Sequence, residues 1–304
     1  MTEAAADGGA ARTRELAVAM VALAACAFSL NGLVIRQLEG ATSWQVVFYR
    51  ALGLLIGIGT VFAWRHRDRT WQAVRASGRL AVMAAPLQGI GVCLFIYSMT
   101  HTTVANTMMM LSATPLFAAV IGWAVLGEKV GWATAAAIAV TIVGIGLMAV
   151  DGLASGALLG NMAALGNAFT FAIFIAFLRR GRGVDMVPAV MLGAACGMLI
   201  AFVAADDLAA PVHDIVLCIL WGAVSQTVGM SLMMAGSRVL PAAEISLIAM
   251  IEFVLAPTLA WTVTGELPTP LSATGGAMIF AAMLAWSARR ARLRRSVPLR
   301  TTGS

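Results

Sequence analysis

Charge is scarce in this 304-residue chain: only 11% of its residues are charged, against 61% in the hydrophobic class. A soluble domain carries about 25% charged residues because its surface faces water. A water-covered globule of this size is therefore excluded, and lipid must solvate much of the surface. Short alternating segments, the mark of an outer-membrane barrel, are also lacking. Histidine is rare: three residues, with His66 and His213 in loops, supply no nucleophile–base pair and no set of metal ligands. That argues against an intramembrane enzyme and against a metal site. A G-x-x-x-x-G-K-[ST] loop is missing, which excludes direct ATP drive within the chain. The four cysteines, Cys26, Cys93, Cys196 and Cys218, sit inside apolar runs without metal-ligand spacing. They read as small buried apolar side chains rather than disulfide partners, and no cofactor is implied.

What is present is a succession of apolar runs of about 20 residues, the length of a helix crossing ~30 Å of hydrocarbon. Ten spans are expected, at 16–37, 45–64, 80–99, 103–126, 131–150, 157–178, 186–205, 214–235, 241–264 and 270–288. The first lacks a small-residue cleavage pattern at Ile35-Arg36-Gln37, so it is expected to stay as a helix and not to leave as a signal peptide. Thr100, His101 and Thr102 alone separate spans three and four, which demands a tight turn there. With ten spans, 18 of the 20 Lys and Arg residues fall on one side: Arg12 and Arg14, Arg65 to Arg79, Lys129, Arg179 to Arg182, Arg238, and the tail from Arg289. The opposite loops carry Glu39, Asp151, Asp206, Asp207, Asp214 and Glu266 instead. The positive-inside rule then places both termini in the cytoplasm of a bacterial-type inner membrane. The net charge of +6 is read as a topology signal with a lipid-surface contact, not as a nucleic-acid footprint.

Shifting the chain by 138 residues aligns 84–139 with 222–277 without a gap and gives twelve identities. Gln88 meets Gln226, Gly91 meets Gly229, Trp123 meets Trp261, and Gly127-Glu128 meets Gly265-Glu266. The expected organisation is a cytoplasmic tail (1–15), a first five-helix repeat (16–150), a second (151–288) and a basic tail (289–304). An odd span number forces the second copy to enter from the opposite side, so the repeats are inverted. Secondary transporters commonly use that plan, with the site near the midplane where the repeats meet.

Candidate site residues follow from polarity at depth. Ionisable groups inside spans cost roughly 2.5–3.5 kcal/mol at the centre on insertion scales, so each needs a reason. Glu252, mid-span, reads either as a proton carrier or substrate-ammonium partner, or as a protonated carboxyl bonded to a neighbouring helix. Glu244 is expected to pair, with Arg238 nearby. Arg50 reads as an anchor for a substrate carboxylate or as half of an intraprotein pair, and Arg36 as a side chain that snorkels to the interface. Gln88, Gln226, Asn31 and Asn167 offer amide donors and acceptors suited to a zwitterion or polar metabolite, or else to interhelical hydrogen bonds. Met230, within a group of methionines in spans four and eight, suits either a plastic cavity or ordinary packing. Tyr97 and Phe171 suit stacking on an aromatic substrate or plain packing. His101 reads as solvated or capping. Gly53/Gly57 and Gly193/Gly197 are small-xxx-small pairs for close helix packing.

Ser-Ala-Thr-Pro-Leu-Phe-Ala (112–118) running into Leu-Gly-Glu-Lys (126–129), Phe-Tyr-Arg-Ala (48–51), and Ile-Glu-Phe-Val-Leu-Ala (251–256) before Thr-Gly-Glu (264–266) resemble the drug/metabolite transporter superfamily and its EamA-type members. The resemblance spans about 17–287. Where such members carry Glu-Pro, this chain has Glu252-Phe253, with a proline at Pro257. The resemblance implies an all-α membrane fold with a central cavity lined from both halves. By size and overall pattern the chain is similar to the YddG-like exporters of aromatic and other neutral amino acids. The expected function is a secondary exporter of small neutral metabolites, amino acids first. Export of another metabolite or drug, or a non-transporting structural or sensory role, remains as an alternative.

Overall fold

The computed structural model describes residues 2–126, 131–180, 185–237, 239–240 and 242–295, and among these there is no strand. The helices are α1 (Thr2–Ile35), α2 (Ser43–His66), α3 (Thr70–His101), α4 (Val104–Leu111), α5 (Thr114–Leu126), α6 (Trp132–Ser155), α7 (Leu158–Arg180), α8 (Val187–Ala204), α9 (Val212–Leu220), α10 (Thr227–Ser237), α11 (Ala242–Thr264) and α12 (Pro270–Arg295). Nine stretches of the described residues are long and apolar enough to cross a membrane. The expected spans 45–64 and 80–99 share one stretch, Ser43–His101, of 59 residues. Inside it the chain breaks twice, at a 3₁₀ turn over Arg67–Arg69 and at Gly78, whose φ of +58° suits a residue without Cβ. Gly127-Glu128, Lys129, Arg182 and Arg238 lie outside the described residues.

Two expected spans are not single α-helices. Span four divides into α4 and α5 at Ser112-Ala113. Pro115 explains the restart, because proline is at home in a helix's first turn, where its missing N–H is not needed. Span eight consists of α9 and α10 joined by a π-helical turn over Trp221–Gln226. The turn between spans three and four is tight: α3 ends at His101, and Thr103 caps α4 by accepting from Asn106 N at 3.0 Å. A capping box at Thr42 and Gln45 starts α2.

The helices pack in reciprocal sets. Helix α3 lies on α7 and α8, while α1 and α2 lie on the α9–α10 segment. Helix α1 also packs on α11, and α7 on α4 and α5. The pairs α2–α8, α4–α11 and α6–α12 each join an element of the first half of the sequence to one of the second. Glycine makes the closest approaches possible. A Cβ on Gly53 or Gly57 would collide with backbone atoms of Ile219 or Ala223, and one on Gly193 with Gln88. Gly197 lies across Gly89 in the same way. Large apolar side chains such as Ile142, Leu199 and Val203 remain exposed along the outer helix faces, as a lipid-solvated surface requires.

The distal end of the bundle is fastened from half to half. Arg36 donates to Glu266 (2.6 and 3.2 Å), to Met99 O (3.0 Å) and to Thr102 O (2.9 Å), while Glu266 also accepts from Val104 N. Arg36 therefore does not snorkel: its donors have four fixed acceptors inside the protein. Asp214, fully buried, accepts from the backbone N–H groups of Glu39, Gly40 and Ala41 and from His213. Gln45 donates to Asp207 and to Ala209 O, and Tyr49 to Leu208 O. At the opposite end, Glu244 pairs with Arg14 at 2.9 Å, and His66 approaches Asp185 at 3.7 Å.

Candidate substrate site at the π-helical turn

Bonding from i to i+5 widens a helix turn, so residues five apart come nearly onto one face. Trp221 and Gln226 begin and end the wide turn, and both reach the same atom. Trp221 Nε1 and Gln226 Nε2 donate to Asn31 Oδ1 at 2.8 and 2.7 Å. All three side chains are buried. Two donors on one oxygen fix the orientation of the Asn31 amide. Asn31 Nδ2 donates to no described residue. The turn is pressed onto α2, because a Cβ on Gly222 would overlap the carbonyl of Arg50.

Arg50 lies beside this cluster. It starts about 10 Å along α2 from the distal end, taking 1.5 Å per residue, and only 6% of its surface is exposed. Its Cζ stands 4.6 Å from the Trp221 ring centroid and 5.8 Å from that of Phe95. No acidic group pairs with it among the described residues, and its buried Nε has no hydrogen-bond partner. A desolvated cation–π contact contributes about 2 kcal/mol, which leaves part of the cost of a buried guanidinium uncompensated.

A cavity of about 350 Å³ opens between α1, α2 and α10, lined in part by Thr13, Met20, Ile58, Arg65, Ser231 and Met234. Ile58 is two turns from Arg50 on α2, and Ser231 just over one turn from Gln226. Phe28, seated on Gly229, and the buried Leu54 stand between cavity and cluster.

The remaining expected site residues are distributed unevenly. Gln88 is half-buried and Asn167 buried, with Asn167 Oδ1 facing Gly91 one turn from Gln88. Neither side chain forms a hydrogen bond with a described residue, in contrast to Gln226 and Asn31. Glu252 is half-buried and likewise makes no hydrogen bond or ion pair. Its neighbours on α11 include Ile248, which packs with Ala17 and Val21 of α1, and the buried Ala256. Met230 packs in the cluster of Leu54 and Phe174. Tyr97 stacks on His101 (3.9 Å, 12°) near the distal end, and Phe171, 37% exposed, stacks on Phe174; neither ring joins the Asn31 cluster. Trp221 and Phe95 were not singled out in the sequence. Trp221 had one legible signal: it lies mid-span, away from the interfacial belts where tryptophan is usual.

Residues 15–150 match the EamA-like transporter family. No curated protein matches the chain. Among 14 matching solved chains, one described only as the crystal structure of a protein aligns with a TM-score of 0.61 and 14% identity, covering 93% of this chain and 100% of that chain. That likeness is one of fold alone.

Proposed function

We propose that this protein is a secondary carrier exporting small, mostly neutral metabolites, amino acids first, by alternating access across an inner membrane. The observation that carries the reading is a buried polar cluster drawn from both halves: Asn31 from the first, Trp221 and Gln226 from the second. The 59-residue stretch would run about 88 Å as one helix, far beyond a single crossing. We count it as two crossings, for ten helices in two inverted five-helix repeats with both termini cytoplasmic. The reciprocal packing of the helices and the match of an EamA-like transporter family to residues 15–150 support this arrangement.

In this reading the form described is inward-facing. The terminal-end cavity is the inner vestibule, the Asn31 cluster is the site, and the Arg36 and Asp214 ties are the closed outer gate. The amides of Gln88 and Asn167 form the second wall, and Glu252, without a partner among the described residues, carries a proton or meets a substrate ammonium. Purified protein in liposomes is expected to exchange a labelled amino acid by counterflow, and Gln226→Ala and Glu252→Gln are each expected to slow it about tenfold or more. Unchanged exchange in both folded variants would remove these residues from the site. Flux of nucleosides, sugars or cationic drugs without any amino-acid flux would replace the substrate class and leave the carrier.

A further inference from the structure

We infer that Arg50, over the rings of Trp221 and Phe95, is the docking point for a carboxylate on the transported solute. The inference deepens the carrier reading by naming the group the site recognises. Its geometric basis is the mismatch between what surrounds Arg50 and what a guanidinium needs. Aromatic rings address the charge through their faces. The N–H donors lie in the guanidinium plane and point out through its edges, in a fork that matches two carboxylate oxygens. Here the rings are present at 4.6 and 5.8 Å, and among the described residues no hydrogen-bond partner meets the edge.

The described acids are engaged elsewhere or stand alone. Glu266 is held by Arg36, Asp214 by the 39–41 backbone, Glu244 by Arg14, and Asp151 accepts from Ser272. Glu252 makes no ion pair among the described residues. Arg50 is only 6% exposed and its Nε is fully buried, so little water reaches the guanidinium to take the place of a partner. Arg50, Leu54 and Ile58 follow one another at four-residue spacing on one helix face, and Ile58 lines the terminal-end cavity. A solute entering there meets Leu54 one turn further in, and Arg50 one turn beyond it once Leu54 and Phe28 give way. A cationic drug is repelled at that point, and a sugar or nucleoside offers no charge to pair. The carboxylate of a zwitterionic amino acid satisfies the edge donors while the molecule remains neutral overall.

The test separates binding from transport. Full-length protein in detergent, at constant ionic strength, is titrated with leucine, phenylalanine and benzoate, and with leucinamide, phenylalaninamide and benzamide. Binding is read as a shift in melting temperature and as tryptophan quenching. At least one carboxylate is expected to bind tenfold or more tighter than its amide, with Arg50→Met abolishing that preference and Arg50→Lys keeping a weakened one. Equal binding of acid and amide, no binding of any carboxylate, or an unchanged preference in Arg50→Met overturns the inference. Should Arg50→Met not fold, the acid–amide comparison on the unaltered protein and Arg50→Lys decides. Chloride competing as well as benzoate would overturn the carboxylate assignment in favour of an inorganic anion. Counterflow in liposomes is scored independently. Carboxylate binding without any flux supports Arg50 and removes the carrier reading, whereas flux of uridine or glucose with no carboxylate binding does the reverse.

Discussion

Removing the Asp214 carboxylate is expected to open the distal end. The side chain is fully buried and collects three consecutive backbone N–H groups, from Glu39, Gly40 and Ala41, at 2.8–3.0 Å in their shortest contacts. Hydrogen bonds to a charged acceptor contribute about 1.5–3 kcal/mol each. In Asp214→Ala the three donors lose their acceptor together. The loop recovers part of that loss only by turning to water, so the penalty emerges as opening. A net cost of about 3 kcal/mol corresponds to roughly a 150-fold shift toward the open form. Asp214→Asn keeps one oxygen but turns an NH₂ toward donors. Losing one such bond costs about 1.4 kcal/mol, or tenfold. The reporter is Cys218, one turn below Asp214 and buried, in a protein whose other three cysteines are alanine. Its reaction rate with a membrane-impermeant maleimide added from the distal side is expected to rise in the order Asp214, Asn, Ala, by about tenfold and then up to a hundredfold or more. If the Ala variant keeps its fold and labels no faster than the parent, the carboxylate is not a gate and the reasoning fails.

Other outcomes follow from the same geometry. Gly222→Ala places a methyl group against the Arg50 carbonyl and is expected to lower stability by about 1–3 kcal/mol through overpacking, read as a drop in melting temperature. Arg36→Met leaves two carbonyls without a donor and Glu266 with only Val104 N, which is expected to cost about 3 kcal/mol or more. Glu266→Gln, still able to accept from Val104 N, should cost less in the same melt. Trp221→Phe removes one of the two donors on Asn31 Oδ1 and should cost about 1 kcal/mol, with quenching by bound solute lost if this ring flanks the site.

Much of the architecture was legible because it rests on one-dimensional signals. Apolar run length anticipated the long apolar helices. Two local breaks were less accessible. The division at Ser112-Ala113 had a marker in Pro115, whereas Trp-Gly-Ala-Val-Ser-Gln at 221–226 contains no residue that forbids an ordinary α-helix. The wide turn is set by packing on α2, which sequence does not display. Arg36 and Asp214 illustrate the same boundary. Their cost at depth was evident, but their partners lie 230 and about 175 positions away in the chain, and most are backbone atoms that leave no trace in residue identity. Arg50 lay between the two alternatives for the same reason: whether it had an acid beside it depended on the fold.

The fastenings at the distal end have an evolutionary corollary. Asp214 grips amide hydrogens, Gln45 and Tyr49 reach carbonyl oxygens, and half of what Arg36 holds is main chain. Every residue type but proline supplies both groups. Positions 39–41, 208 and 209 are thus free to drift in character, provided the chain keeps its course, while the four side chains that do the gripping are not, nor is Asp207, whose carboxylate accepts from Gln45 and from Ala209 N. A saturation library over these loops should tolerate wide variety, with proline at 39, 40 and 41 the conspicuous gap.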